Sequence, residues 1–220
     1  EAPPFSRSWN ELLQAHPKTC GWVGPATVFV SHAHSCSFRS FVDSLKQLRL
    51  DLPSHAPVPF FWVDFLCTNL HVKQSIPQEW WSTTLKQAIE RIGHTVMLVN
   101  PWDRPSVLTR SWCLWELYCT VDVNADFSVC LAPNERKAFE TAMLKRPRSV
   151  LQAFSKIEIE QAKATVAEEQ KMVLAEVNEQ FDDEQMLHLL FDVASRMKTM
   201  VATKRRSDIL QGFVLANVFY

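Results

Sequence analysis

The sequence predicts an α/β fold in which helices cover both faces of a parallel β-sheet. Short apolar runs rich in β-branched and aromatic residues alternate with segments whose apolar residues recur at helical spacing. Four such runs separated by helices require right-handed crossover connections, and these connections build a parallel sheet. Ligands of such sheets bind beyond the carboxyl ends of the strands, so the loops that follow the strands are expected to form the site.

The first half of the predicted domain contains two strand–loop–helix units. A buried strand at 26–31 leads through a polar loop into a helix that begins at Phe38. A second strand is predicted at 60–66, with Asp64 inside it or at its end. The helix that follows is closed by Gly93, since glycine favours the left-handed conformation at a helix C-terminus.

The second half repeats this alternation. A third strand is predicted at 95–100 and leads through a proline-bearing loop into a short helix within 108–119. A fourth strand at 127–131 ends at Pro133, which opens another helix because proline is favoured in a first helical turn.

Glu116 is the charged residue on an otherwise apolar stretch of the helix within 108–119. Its neighbours at helical spacings of three and four are Trp112, Cys113, Leu117 and Thr120. A carboxylate in these surroundings is either paired with a base such as Arg110 or available for chemistry. The sequence around Glu116 alone leaves both interpretations open.

Three segments describe the expected domain organisation. Residues 1–25 carry several prolines around a short helical pattern and are expected to form a lead-in segment. Residues 26–150 form the α/β domain, whose length suits a single hydrophobic core. Residues 151–220 are rich in charge and helical in pattern, which predicts a helical extension that packs on the domain or completes it.

Composition narrows the classes of partner. Hydrophobic residues make up 47% of the 220 residues and charged residues 21%, as in globular proteins. A net charge of -1 argues against nucleic acid as the main partner. No apolar run approaches the roughly 20 residues that span a bilayer, and no signal peptide precedes the domain, so a cytoplasmic protein without a membrane partner is expected. The six scattered cysteines favour a reduced protein.

Histidines and cysteines of two loops offer possible metal ligands. His32, His34 and Cys36 alternate along the loop after the first strand, and Cys67 and His71 form a possible pair. The sequence lacks the closely spaced cysteine pairs that are usual in metal clusters, and a polar loop explains these residues equally well. We therefore predict that no metal is bound.

The ordered motifs resemble those of Toll/interleukin-1 receptor (TIR) domains. The helix Ser111-Trp112-Cys113-Leu114-Trp115-Glu116-Leu117 closely resembles the Trp-Cys-Leu-x-Glu-Leu helix of plant-type TIR domains. Further segments resemble the opening strand and helix, the second strand and the second helix of the family: 28–31 with 38–45, 62–64 and 84–89. The resemblance covers roughly residues 26–145 and is closest to divergent TIR-like domains of eukaryotic microbes.

This resemblance implies a flavodoxin-like sheet, a homo-oligomer formed through TIR-like contacts, and cleavage of the nicotinamide–ribose bond of NAD+. NAD+ would then be the substrate and no cofactor would be needed. The family's catalytic glutamate corresponds to Glu116, with Ser111 and Trp112 expected to contact the substrate from the same motif. The parent protein would act in immune or stress signalling.

The chemistry of N-glycosidic cleavage fits a single carboxylate. The bond breaks through an oxocarbenium-like state whose positive charge a carboxylate can stabilise, and nicotinamide leaves as a neutral base. Trp112, one turn before Glu116, is placed to stack on a ring. His32 and His34 are expected to contact nicotinamide or phosphate, and Asp64 either hydrogen-bonds ribose or caps the junction between strand and loop.

The chain also differs from plant TIR domains. It carries His32-Ala33-His34 where they usually have an Arg-Gly pair, and Asp43-Ser44 where many have a Ser-His pair for self-association. Assembly through that helix face is therefore not supported by the sequence. Two other functions stay open: a non-catalytic TIR-like assembly module, and a nucleoside hydrolase or deoxyribosyltransferase, which has a related fold and also uses a glutamate.

Overall fold

The computed structural model describes residues 7–69, 71, 78–155, 157, 162, 164, 167–180, 184–185 and 188–202. Its strands are β1 (Val28–Ser31), β2 (Phe61–Trp62), β3 (His94–Leu98) and β4 (Asp126–Cys130). Its α-helices are α1 (Trp9–Ala15), α2 (Phe38–Asp51), α3 (Asp64–Cys67), α4 (Gln78–Ile92), α5 (Ser111–Asp122), α6 (Pro133–Lys145), α7 (Pro147–Ser155), α8 (Ala167–Gln180) and α9 (188–202). Short 3₁₀ helices occur at Cys20–Trp22 and Ser106–Thr109.

The four strands form one sheet in the order β2-β1-β3-β4, and all neighbours are parallel. This order matches the first four strands of the flavodoxin-like arrangement, in which the direction of winding reverses between β1 and β3. The predicted fold class is therefore confirmed. The reversal leaves a crevice at the carboxyl ends of the central strands, where ligands of this fold bind.

Alternate residues of the strands face opposite helical layers. Val28, Val30, Val96 and Leu98 share a buried cluster with Phe41 and the partly buried residues of α2. On the other face, Phe29 packs in a cluster with residues of α4, α5 and α8, and Met97 packs in a cluster that includes α6, α7 and α9. Side chains of a strand alternate between faces, so each face of this sheet buries its own apolar layer.

Helix α5 is buried on all sides along most of its length, because every residue from 111 to 120 is buried. A helix that is apolar all round belongs in the interior of a domain. Thr120 ties it to the sheet, since its Oγ1 lies 2.9 Å from Oγ1 of Thr95 and donates to the carbonyl of Glu116 at 2.7 Å. The helix that carries Glu116 is therefore part of the core.

The prediction of a strand at 60–66 was wrong in its extent. Strand β2 contains Phe61 and Trp62 alone, and the short helix α3 begins at Asp64. The Asp64 carboxylate accepts a hydrogen bond from the Phe65 backbone at 2.7 Å. Aspartate side chains compete in this way with ladder hydrogen bonds and favour helix starts and turns. The shorter strand leaves Asp64 at the carboxyl edge of the sheet.

The described parts of the predicted extension pack against the sheet domain. Val173 and Val177 of α8 are buried with residues of α4 and α5, and Val193 and Met197 of α9 are buried with Phe139 of α6. The rest of 151–220 and residues 1–6 lie outside the described residues. The boundaries at 25 and 150 stay predictions.

The sequence also predicts that no segment spans a membrane and that the cysteines are reduced. Among the residues that the structure describes, no helix has the length and hydropathy needed to cross a membrane. All six cysteines are free thiols, and Cys113, Cys119 and Cys130 are buried. These buried thiols pack as small apolar side chains.

Candidate functional site

A cavity of about 540 Å³ lies at the carboxyl ends of β1 and β2, next to the start of α5. Its volume falls within the range typical of small-molecule sites, roughly 300–1,000 Å³. Segments that follow β1, β2 and β3 line it, with the polar groups of His32, His34, Asp64, Arg110 and Glu116 among aromatic rings. The carboxyl ends of the strands, where the sequence predicts a ligand site, therefore border a cavity of ligand size.

Glu116 reaches this cavity from the buried helix α5, and its side chain is 6% exposed. Its Oε2 accepts a hydrogen bond of 2.6 Å from Oγ of Ser31, the last residue of β1. Among the described residues, no basic side chain lies within ion-pairing distance of its carboxyl group. The described residues therefore do not support the alternative that Glu116 is one half of a structural ion pair.

Burial raises the pKa of Glu116 from 4.5 to about 7. The positive charge of Arg110 and the hydrogen bond from Ser31 lower the pKa of Glu116, but they only partly offset the loss of hydration. Both the protonated and the ionised form of Glu116 are therefore populated near neutral pH. Such a strongly shifted acid in a cavity wall is characteristic of functional sites.

Arg110 joins the loop after β1 to the start of α5. Its Nη1 donates to the backbone carbonyl of His32 at 2.8 Å, and Sγ of Cys113 donates to the same carbonyl at 3.3 Å. Its Nη2 lies 3.9 Å from Oδ2 of Asp64. The guanidinium is therefore a positioning group that holds two walls of the cavity together.

Asp64 is the second carboxylate of the cavity, and it has close polar partners. Its Oδ2 lies 2.6 Å from Nε2 of His34, and its Oδ1 lies 3.6 Å from Nε2 of His32. Burial raises the pKa of Asp64. The hydrogen bond from His34 and the charges of His32, His34 and Arg110 outweigh burial and bring the pKa of Asp64 from 3.8 down to about 2. Asp64 is therefore ionised throughout the physiological range, while burial lowers the pKa of His32 and favours its neutral form.

No protein-family model, curated protein or solved structure matches the chain. The resemblance to TIR domains therefore rests on the motif residues themselves. The function has to be argued from the chemistry of the cavity.

Trp112 and Ser111 have different positions, although they are adjacent in the motif. Trp112 lines the cavity together with Glu116, because residues four apart share a helix face. Ser111 is fully buried and is not among the lining residues. Its Oγ has no hydrogen-bond partner among the described residues. Ser111 therefore does not line this cavity, since the preceding helix position points in another direction, and a substrate contact from Ser111 stays a prediction.

The structure groups the possible metal ligands differently from the sequence. His32, His34 and Asp64 place one ligand atom each within 4.8 Å of one another, and within the described ranges they are the group that does so. Cys36 also lines the cavity but does not belong to this group. Asp64 joins the two histidines from the start of α3, 30 residues away from His34 in sequence.

Ser31 and Trp62 were missed from the sequence as contributors to the site, and Arg110 was named only as a possible base for Glu116. Ser31 holds the Glu116 carboxyl group, Arg110 connects the walls, and Trp62 lines the cavity while stacking on Phe29 with ring centroids 4.6 Å apart. The polar end of an apolar strand was the available signal for Ser31. The position of Trp62 just before Asp64 was the corresponding signal for the aromatic wall.

Proposed function

We propose that this chain cleaves the nicotinamide–ribose bond of NAD+ and that Glu116 is its catalytic residue. The observation that carries the proposal is the placement of Glu116. Its carboxyl group is buried in the wall of a ligand-sized cavity, is held by the Ser31 hydroxyl, and has no basic partner within ion-pairing distance among the described residues. A carboxylate kept at this cost in hydration energy has the properties expected of a working group.

The reaction breaks the bond between ribose C1′ and the ring nitrogen of nicotinamide. The electron pair of that bond moves to the positively charged ring, which leaves as neutral nicotinamide, and positive charge develops on the ribose. The ionised Glu116 stabilises that charge across a short distance in a poorly hydrated site. Water attacks C1′ and gives up a proton, which passes through Glu116 to the solvent and leaves ADP-ribose. Another nucleophile would give a cyclic or transferred product.

The substrate's own charge supports the ionised form of Glu116. An opposite charge close to a carboxyl group lowers its pKa. Because the nicotinamide ring of NAD+ is cationic, its arrival next to Glu116 is expected to lower the pKa of Glu116 from about 7 and leave the carboxylate ionised. The same environment that raises the pKa of Glu116 without ligand therefore responds to a cationic ligand.

The other walls supply the remaining binding groups. Trp112 and Trp62 offer aromatic surfaces for a base or the nicotinamide ring. His34, which is 46% exposed, can donate to phosphate or ribose oxygens, and Asp64 can accept from ribose hydroxyls. These groups converge on one cavity, which supports a nucleotide of this type as the ligand.

The family resemblance further supports a signalling role with self-association as a homo-oligomer. The alternative function is an assembly module without catalysis, and it is distinguished by measuring turnover. The purified chain is incubated with NAD+ at low and high protein concentration and with a crowding agent, and free nicotinamide is quantified by chromatography. Crowding is included because assembly can be a condition for activity.

Glu116→Gln is the decisive variant, and Asp122→Asn is its matched control. Asp122 lies on the same helix, does not line the cavity, and pairs with Lys86 at 2.6 Å. We expect the wild type and Asp122→Asn to release nicotinamide and Glu116→Gln to lose about 10²–10³-fold in kcat, the loss typical of removing one electrostatic stabiliser.

Three outcomes would contradict the proposal. Equal turnover by wild type and Glu116→Gln would remove Glu116 from the chemistry. No turnover under any assembly condition would favour the non-catalytic module. Cleavage of nucleosides but not of NAD+ would select the nucleoside hydrolase or deoxyribosyltransferase.

A further inference from the structure

His32, His34 and Asp64 bring three potential metal ligands to one side of the cavity. The two imidazoles come from the loop after β1, and the carboxylate comes from the first residue of α3, just beyond β2. Their ligand atoms lie within 4.8 Å of one another, with Nε2 of His32 3.6 Å and Nε2 of His34 2.6 Å from oxygens of Asp64. All three residues line the cavity, so an ion held by them would face its contents.

The spacing is close to that of a tetrahedral ion. Bonds of 2.0–2.2 Å from Zn²⁺ to nitrogen and oxygen place neighbouring ligand atoms about 3.4 Å apart. His32 and Asp64 already have this separation. His34 would have to move away from Asp64 by less than 1 Å, and its ring is about half exposed to solvent.

The surrounding contacts hold the ligands in place. The ring of His32 is buried and lies 5.0 Å from the ring of Phe41 between centroids, and Asp64 Oδ1 accepts from the Phe65 backbone at 2.7 Å. The His32 carbonyl is in turn fixed by Arg110 at 2.8 Å.

Arg110 does not occupy the ligand position. Its Nη2 is 3.9 Å from Asp64 Oδ2, which is too long for a hydrogen bond, and its Nη1 is used by the His32 carbonyl. Its positive charge opposes cation binding, while the charge of Asp64 and the carboxyl group of Glu116 in the same cavity favour it. The guanidinium therefore limits affinity and leaves the coordination geometry intact.

We propose that His32, His34 and Asp64 form a binding site for a divalent transition-metal ion of the Zn²⁺ class. Two imidazoles and one carboxylate leave a coordination position open towards the cavity, where water or a phosphate oxygen of a ligand can bind. The sequence did not predict this site because its third ligand, Asp64, is 30 residues away from His34. It goes beyond NAD+ cleavage and does not depend on the role of Glu116.

The test is a direct titration of the chelator-treated, dialysed protein with Zn²⁺ in competition with a chromophoric chelator. The wild type is expected to bind one ion, and His34→Ala is expected to lose at least about tenfold in affinity. His55→Ala removes an exposed histidine outside the cavity and is expected to bind like the wild type. His34 is the preferred substitution because its exposed ring contributes little to the core.

Co²⁺ titration identifies the ligands independently of affinity. We expect visible d–d absorption in the wild type and in Cys36→Ser, without thiolate-to-cobalt charge transfer, and loss of that absorption in His34→Ala. Equal Zn²⁺ affinity of wild type and His34→Ala would overturn the proposal. A charge-transfer band that disappears in Cys36→Ser would also overturn it, because the ion would then be held by a thiolate. The absence of any binding would do the same.

Discussion

The two carboxylates of the cavity have opposite surroundings. Glu116 sits in the buried helix α5 with the Ser31 hydroxyl as its hydrogen-bond donor, and its pKa is raised to about 7 by burial. Asp64 lies at the sheet edge; burial also raises its pKa, but the hydrogen bond from His34 and the charges of His32 and Arg110 outweigh burial and lower its pKa to about 2. The same functional group is therefore a titrating acid on one wall and a permanent anion on the other.

This difference indicates how the site can divide its tasks. A pair of acids whose environments separate their pKa values commonly performs two roles in one active site. Asp64 is committed to binding and positioning by its partners. Glu116 has no competing partner of that kind among the described residues and can respond to a ligand's charge.

Neutralising Glu116 should give the largest change in stability. The pKa of Glu116 is about 7 in the folded chain, against an ordinary value of 4.5, so the folded chain binds the proton more tightly than the unfolded chain. Proton binding by Glu116 therefore stabilises the fold. This contribution is fully present below pH 4.5 and is lost as pH rises through about 7. The shift corresponds to about 3 kcal/mol at 1.36 kcal/mol per unit. Glu116→Gln keeps an acceptor for the Ser31 hydroxyl and removes the buried charge. We therefore expect urea unfolding at pH 8 to show that the variant has a free energy of unfolding about 3 kcal/mol higher than that of the wild type.

The internal control is the same pair of proteins at pH 5, where the difference should largely disappear. A Glu116→Gln variant that is strongly destabilised at pH 8 would show that the ionised carboxylate has a stabilising partner. The contrast between the two acids would then be wrong.

The pH dependence of turnover should show a smaller effect. Because the ionised form of Glu116 is the one needed, kcat/KM should rise about tenfold between pH 6 and pH 8, with a midpoint near the pKa of about 7. Asp64 is ionised across this range and should contribute no step. Initial rates of nicotinamide release in buffers of constant ionic strength provide the measurement. A flat profile, or a fall across this interval, would contradict the assignment.

The smallest expected effect tests the coupling between the two walls. The charge of Asp64 raises the pKa of Glu116 and the Ser31 hydrogen bond lowers it. Asp64→Asn should therefore move the pKa of Glu116 down and Ser31→Ala should move it up, each by about one unit or less. ¹³C NMR titration of the glutamate side chain measures this in the absence of substrate. Shifts in the same direction for both variants would refute the contrast.

The positions of three strands follow closely from local sequence, whereas the end of β2 does not. Apolar runs of β-branched residues predicted β1, β3 and β4 to within about two residues, because burial on both faces needs such runs. At β2 the apolar residues continue past Trp62 into α3, and pattern alone cannot distinguish a buried strand from a short buried helix. The hydrogen bond that the Asp64 carboxylate accepts from the Phe65 backbone favours the start of a helix at Asp64.

The site was predictable where it depends on helical spacing. Trp112 and Glu116 share a helix face because they are four residues apart, and the same rule explains why Ser111 is turned away. The contact of Arg110 with the His32 carbonyl spans 78 residues and ends on a backbone atom, so no side-chain pattern indicates it. The approach of Asp64 to His34 depends likewise on the pairing of β1 with β2.

The bridge made by Arg110 has a thermodynamic consequence. Its guanidinium holds the loop of His32, lies close to Asp64, and lowers the pKa of Glu116. Occupancy of the histidine wall by a charged ligand and proton release from the glutamate wall are therefore linked equilibria. Linkage is reciprocal, so the factor by which a ligand changes the acidity of Glu116 is the factor by which ionising Glu116 changes the affinity for that ligand. Ambient pH then acts on this cavity as a second effector.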